Sequence, residues 1–99
     1  MALTFDDFQG LIDRMYGEKD RARGSTATFL WLCEEVGELA AAIREGTHAE
    51  KEGEFADVLA WVTTIANVEG VNLTEAVRKK YGEGCPGCGL FVCTCNEKP

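Results

Sequence analysis

Two groups of acids stand fifteen residues apart in this chain: Glu34, Glu35 and Glu38 in "LCEEVGEL", then Glu54 and Asp57 in "EFAD". Carboxylates at these spacings gather on one side of a helix, so each group is half of a possible site. If the halves face each other, four carboxylates cannot all stay ionised in a half-buried cleft without compensation. They must protonate or bind cations. Oxygen-only ligands suit hard ions, which points to Mg²⁺ or Mn²⁺. Trp31 and Trp61 each lie a short way along the chain from one group and offer flat stacking surfaces. A metal, then phosphates, then a stacked ring is the layout of a bound nucleotide. Asn67, six residues past Trp61, is a further candidate for hydrogen bonding to a base. The plainer alternative is a solvated acidic face, with the tryptophans in an oligomer interface.

A second set of chemistry-bearing residues closes the chain. Cys85 and Cys88 form C-P-x-C-G, and Cys93 and Cys95 follow as C-x-C. Four thiolates suit one tetrahedral Zn²⁺. The first pair has the spacing of a zinc knuckle, whereas C-x-C is tighter than the usual C-x-x-C. Free thiols, a disulfide and a site shared between subunits are the rival readings. Cys33 stands apart and reads as a small core residue.

The elements that must position these residues read as helices. Thr4 and Asp7 form a capping box before Phe5, Phe8, Leu11, Ile12 and Met15 at helical spacing. "YGEKDRARGS" interrupts that pattern and reads as a loop, in which Arg21 and Arg23 could close over a ligand. Ser25 or Thr26 would cap a second helix ending near Glu45, with Gly46 as its stop. Its apolar stripe is Leu32, Val36, Leu39, Ala40 and Ile43, with the glutamates and Trp31 on the far side. "THAE" opens a third helix with its main stripe at Val58, Leu59, Val62 and Ile65, and Gly70 ends it. Asn72 caps a short fourth helix that stops at Gly82.

The turn at Gly46 is short, so helices two and three should run antiparallel. Residues equidistant from Gly46 then face each other. Glu38 meets Glu54, Glu35 meets Asp57, and Trp31 meets Trp61. The indoles would lie roughly 10 Å from the acids, since a helix rises 1.5 Å per residue. The expected fold is an all-α antiparallel helix bundle over residues 1–82, with a cysteine-rich, zinc-knuckle-like tail at 83–99.

Composition bounds the function. A net charge of −7 argues against binding a nucleic-acid polymer, which needs clustered Lys and Arg. No apolar run is long enough for a membrane span, and no signal peptide is evident, so the expected location is the cytoplasm. There, cysteines serve as thiols or metal ligands more often than as disulfides. A 99-residue chain builds a thin core, which an oligomer or a metal would support.

With these residues in view, the chain resembles the MazG-like family of all-α nucleoside triphosphate pyrophosphohydrolases. The family pattern E-E-x-x-E, spacer, E-x-x-D stands here as "EEVGE" and "EFAD", and the likeness covers roughly residues 25–81. The resemblance implies a dimer or a dimer of dimers (a homotetramer). It also implies Mg²⁺-dependent hydrolysis of a nucleoside triphosphate to the monophosphate and pyrophosphate. By position, Glu35, Glu38, Glu54 and Asp57 would be the metal ligands, and Glu34 a further ligand or the residue that orients the attacking water. Lys80 corresponds to a position that can reach phosphates, although its charge also suits a helix C-terminus.

Two other classes compete. A di-metal redox bundle needs Glu-x-x-His on two helices. Here Glu45 and His48 alone have that spacing, and they straddle the Gly46 turn. A non-enzymatic zinc-knuckle interaction protein with an acidic helical bundle is the other.

Overall fold

The caps dictate where each helix begins and ends. The computed structural model describes residues 2–98 and contains four helices: α1 (Phe5–Arg23), α2 (Ser25–Glu45), α3 (His48–Glu69) and α4 (Leu73–Tyr81). Among the described residues there is no strand. None of the helices is long and apolar enough to cross a membrane. Thr4 and Asp7 form a reciprocal capping box at the start of α1, and Thr47 and Glu50 form another at the start of α3. Asn72 accepts from the Glu75 N–H to start α4. Gly70 ends α3 in the left-handed conformation that glycine adopts without strain.

Two local expectations fail. Residues 16–23 are not a loop: α1 runs through them to Arg23, and only Gly24 breaks it. The mixed charges form helical contacts instead, with Arg21 on Asp13 at 2.7 Å and Arg23 on Asp20 at 2.6 Å. Neither Ser25 nor Thr26 caps α2. Gly24, with φ 82°, holds that position without a side-chain bond. Ser25 Oγ donates instead to the Glu69 carboxylate at the far end of α3.

α2 and α3 form an antiparallel hairpin about Gly46, α1 packs mainly on α3, and α4 packs on α1. A cluster of side-chain bonds ties α1 to the α3–α4 connection. Gln9 Nε2 donates to the Val71 carbonyl at 2.6 Å, and Gln9 Oε1 accepts from Leu73 N–H at 3.0 Å.

The core differs from the apolar stripes read in the sequence. The buried hydrophobic residues are Ile12, Ala42 and Ala66, joined by buried Thr28, Thr63 and Thr64. Small residues let the helices approach closely. The buried hydroxyls of Thr28 and Thr63 are satisfied by donating to the Gly24 and Leu59 carbonyls, each at 2.7 Å. Val36, Ala40 and Ile43, expected in the core, are exposed in the single chain, as are Leu59, Val62, Met15 and Cys33. The physical reason is coverage. The hairpin has two broad faces, and α1 occupies only one of them.

Candidate active site

The α2–α3 hairpin brings the acids together because Gly46 allows a tight turn. A Cβ there would lie 2.7 Å from the Ala42 carbonyl oxygen. Carboxylate oxygens of Glu35, Glu38 and Glu54 come within 4.8 Å of one another. Glu35 Oε2 and Glu54 Oε2 are buried atoms with no hydrogen-bond partner. Burial pushes the Glu35 carboxyl above its ordinary range, and the charges of Glu38, Asp57 and Glu54 push it further. Glu54 is raised by burial first and then by Glu38 and Asp57. Like charges this close in a half-buried cluster disfavour ionisation of Glu35 and Glu54.

Asp57 lies one turn beyond Glu54, exposed and outside the tight trio, but close enough to raise both neighbours. Glu34 is exposed and takes no part in the cluster. Trp31 and Trp61 stack with ring centroids 6.3 Å apart and planes inclined by 16°, which places them opposite each other across the hairpin. Asn67 is already engaged, its Nδ2 donating to the Gln9 carbonyl at 3.2 Å. Lys80 sits over the Tyr81 ring on α4 and lines a cavity with Arg78 and Lys79 whose wall contains none of the acidic cluster.

The acidic cluster is flanked by two cavities. One, of about 330 Å³, opens at the Gly46 turn and is lined by Glu38, Glu45, Glu50 and Glu54. The other, of about 370 Å³, holds Asp57 and Trp61 of α3 with Tyr16, Lys19, Asp20 and Arg23 of α1. These α1 residues were not among the sequence candidates, apart from Arg23 as a loop residue. Their signal was the spacing 16, 19, 20, 23, which places four polar and aromatic side chains on one helical face. Arg23 lies 5.1 Å over the Trp61 ring and also donates to Thr28 Oγ1 at 2.9 Å. Asp20 is 3% exposed, and its Oδ2 has no hydrogen-bond partner.

The four cysteine sulfurs of the tail also converge, all within 4.8 Å of one another. Backbone N–H groups of Thr94 and Leu90 draw the Cys88 thiol down to about 6. Cys95, hydrogen-bonded by Cys93, is pushed up to about 11. One polarised cluster thus holds both an easily ionised thiol and a reluctant one.

No curated protein matches the chain. A family model does, that of the MazG nucleotide pyrophosphohydrolase domain, over residues 23–88. The match takes in α2, α3, α4 and both acidic groups, two thirds of the chain in all. With an all-helical fold and a hairpin that concentrates carboxylates at its centre, this chain belongs to the MazG nucleotide pyrophosphohydrolase family.

Proposed function

We propose that the protein is a Mg²⁺-dependent nucleoside triphosphate pyrophosphohydrolase, with Mn²⁺ as an alternative ion, that releases a nucleoside monophosphate and pyrophosphate from an NTP or dNTP. One observation carries this: three carboxylates converge with two buried oxygens that lack any donor. Such oxygens fit a hard cation, which restores the interaction that burial removed. Glu35, Glu38 and Glu54 would hold it, with Asp57 as the fourth ligand at the cavity edge. Bound Mg²⁺ supplies charge neutralisation for the triphosphate and a lowered pKa for the attacking water.

The remaining roles belong to the chain's own side chains. Trp61 and Trp31 present the stacking surface for the base, and Arg23 fixes the Trp61 ring. Asp20 Oδ2 is a buried acceptor on the same cavity, suited to an N–H group of a base. Glu34, outside the trio, would orient the attacking water rather than hold the ion. Five cysteines, none of them in a disulfide, fit a reducing, cytoplasmic setting.

We further propose that the working form is a homodimer or homotetramer. Phe29, Val36 and Ile43 recur every seven residues along α2 and are 55%, 48% and 55% exposed. Phe55 and Leu59 on α3 are also more than half exposed. This face is hydrophobic and has no partner among the described residues.

A screen of nucleoside triphosphates with Mg²⁺ or Mn²⁺, read by pyrophosphate release, tests the activity. Glu38→Gln or Asp57→Asn should each abolish metal-dependent turnover and leave the helix content near wild type. If both variants turn over normally, the site assignment is wrong.

A further inference from the structure

The cysteine tail is the part of the molecule that the proposed hydrolysis does not use. The family match ends at Cys88, so Cys93 and Cys95 lie beyond it. The tail nevertheless has a defined local fold. Cys85 N–H donates to the Leu90 carbonyl at 2.8 Å, and Gly89 N–H to the Cys85 carbonyl at 2.7 Å, closing a turn around Pro86 and Gly87. Gly84 and Gly89 take φ of 109° and 77°, which other residues rarely adopt. A Cβ on Gly84 would also meet Leu90 backbone atoms at 3.0 Å.

What holds this segment is not a core. Leu90, Phe91 and Val92 are 49%, 84% and 83% exposed. From residue 83 to 98, only Gly84, Cys85, Cys88 and Cys95 are even half-buried. A short segment ordered without apolar burial needs a cross-link or a metal.

The sulfur geometry separates these options. A tetrahedral Zn²⁺ with Zn–S bonds of about 2.3 Å spaces its sulfurs about 3.8 Å apart. Here Cys85 Sγ lies 3.5 Å from Cys93 Sγ and 3.9 Å from Cys95 Sγ. Backbone N–H groups of Gly87, Thr94 and Cys95 point at Cys85, Cys88 and Cys93 sulfurs at 3.4, 3.5 and 3.3 Å. Such bonds favour thiolates and orient them. Four thiolates around one Zn²⁺ carry a net charge of −2. The cavity beside Cys85 at the end of α4 is lined by Arg78, Lys79 and Lys80 against the single acid Glu83, a net positive wall.

We propose that Cys85, Cys88, Cys93 and Cys95 of one chain bind a single structural Zn²⁺ as four thiolates, and that this ion folds the segment after α4. Binding releases the thiol protons to solvent and changes no oxidation state. All four ligands come from the same chain, so the site is complete without a second copy. Folding of the segment is then coupled to metal, while the helices fold without it.

The test uses the full chain purified under reducing conditions. Elemental analysis should find one zinc per chain. Replacement by Co²⁺ should produce the visible absorption of a tetrahedral thiolate site. Cys93→Ser should lose the zinc and keep its helical circular dichroism, Cys33→Ser should retain the zinc, and Glu38→Gln should retain it too. Chelation should open residues 83–98 to protease and leave the helices protected. The proposal is overturned by zinc that survives in Cys93→Ser, by one zinc per two chains, by iron in place of zinc, or by a metal-free chain whose mass shows two disulfides.

Discussion

Glu35 and Glu54 have carboxyls raised above the ordinary 4.5 by burial first, and then for both by the neighbouring charges of Glu38 and Asp57. The sign of the consequence follows from linkage. A folded state that holds these protons more tightly than the unfolded chain is favoured at low pH, and it loses that advantage as pH rises from about 4.5 through the raised folded values. A divalent cation reverses the balance, because it binds the ionised form. Glu54→Gln mimics the protonated acid. In EDTA the variant should match wild type below about pH 4.5 and melt higher than wild type at pH 7. With Mg²⁺ at pH 7 the order should invert. Thermal melts of both proteins check this, and a variant that melts lower than wild type in EDTA at pH 7 would contradict the cluster as described.

Among elements, the α2–α3 hairpin does most to build the site, and its turn sets the register. Gly46 and Gly53 make a controlled comparison. At Gly46 a Cβ would press on Ala42 backbone atoms at 2.7–3.2 Å, whereas at Gly53, inside α3, it would meet nothing within 4 Å. Gly53→Ala should stabilise the fold by up to about 1 kcal/mol through helix propensity. Gly46→Ala should destabilise it and also weaken Mg²⁺-dependent turnover, because the turn must shift and carry Glu38 away from Glu54. Urea denaturation and pyrophosphate release measure the two effects. If Gly46→Ala keeps full turnover, the turn does not control the register. α1 contributes at this scale as well. Its continuation past Tyr16 places Lys19, Asp20 and Arg23 beside Trp61.

For the whole molecule, the accessible surface and the radius of gyration both exceed those of a compact monomer of this size. The single chain exposes 7267 Å², against about 5500 Å² for a compact monomer of 10.8 kDa. Its radius of gyration is 15.7 Å, against about 13 Å for a globular chain of this length. The excess area is on the scale of a stable protein interface. Ile43→Asp, alone or with Val36→Asp, should therefore lower the assembly state, as read by light scattering on a sizing column. Wild type eluting as a single chain would remove the basis for an oligomer.

The capping residues made much of the fold legible in advance. Thr4, Thr47 and Asn72, with the stops at Gly46, Gly70 and Gly82, act within a few residues of themselves, so local chemistry was sufficient. The pairing of Trp31 with Trp61, and of Glu38 with Glu54, followed from helical period and one short turn. Where the sequence misled, one set of deciding contacts lay within α1 and the other was distant. Charge pairs kept residues 16–23 helical, and Ser25 bonded to Glu69 instead of capping its own helix. The apolar stripe of α2 was correctly seen as apolar, but period alone cannot say whether a stripe meets its own chain or another. Thus the sequence by itself determined the helices, the acidic hairpin and the four thiols. Only the tertiary structure decided which face α1 covers and that the cavity beside Trp61 is walled by α1. Those outcomes depend on contacts between residues far apart along the chain, and no local periodicity encodes them.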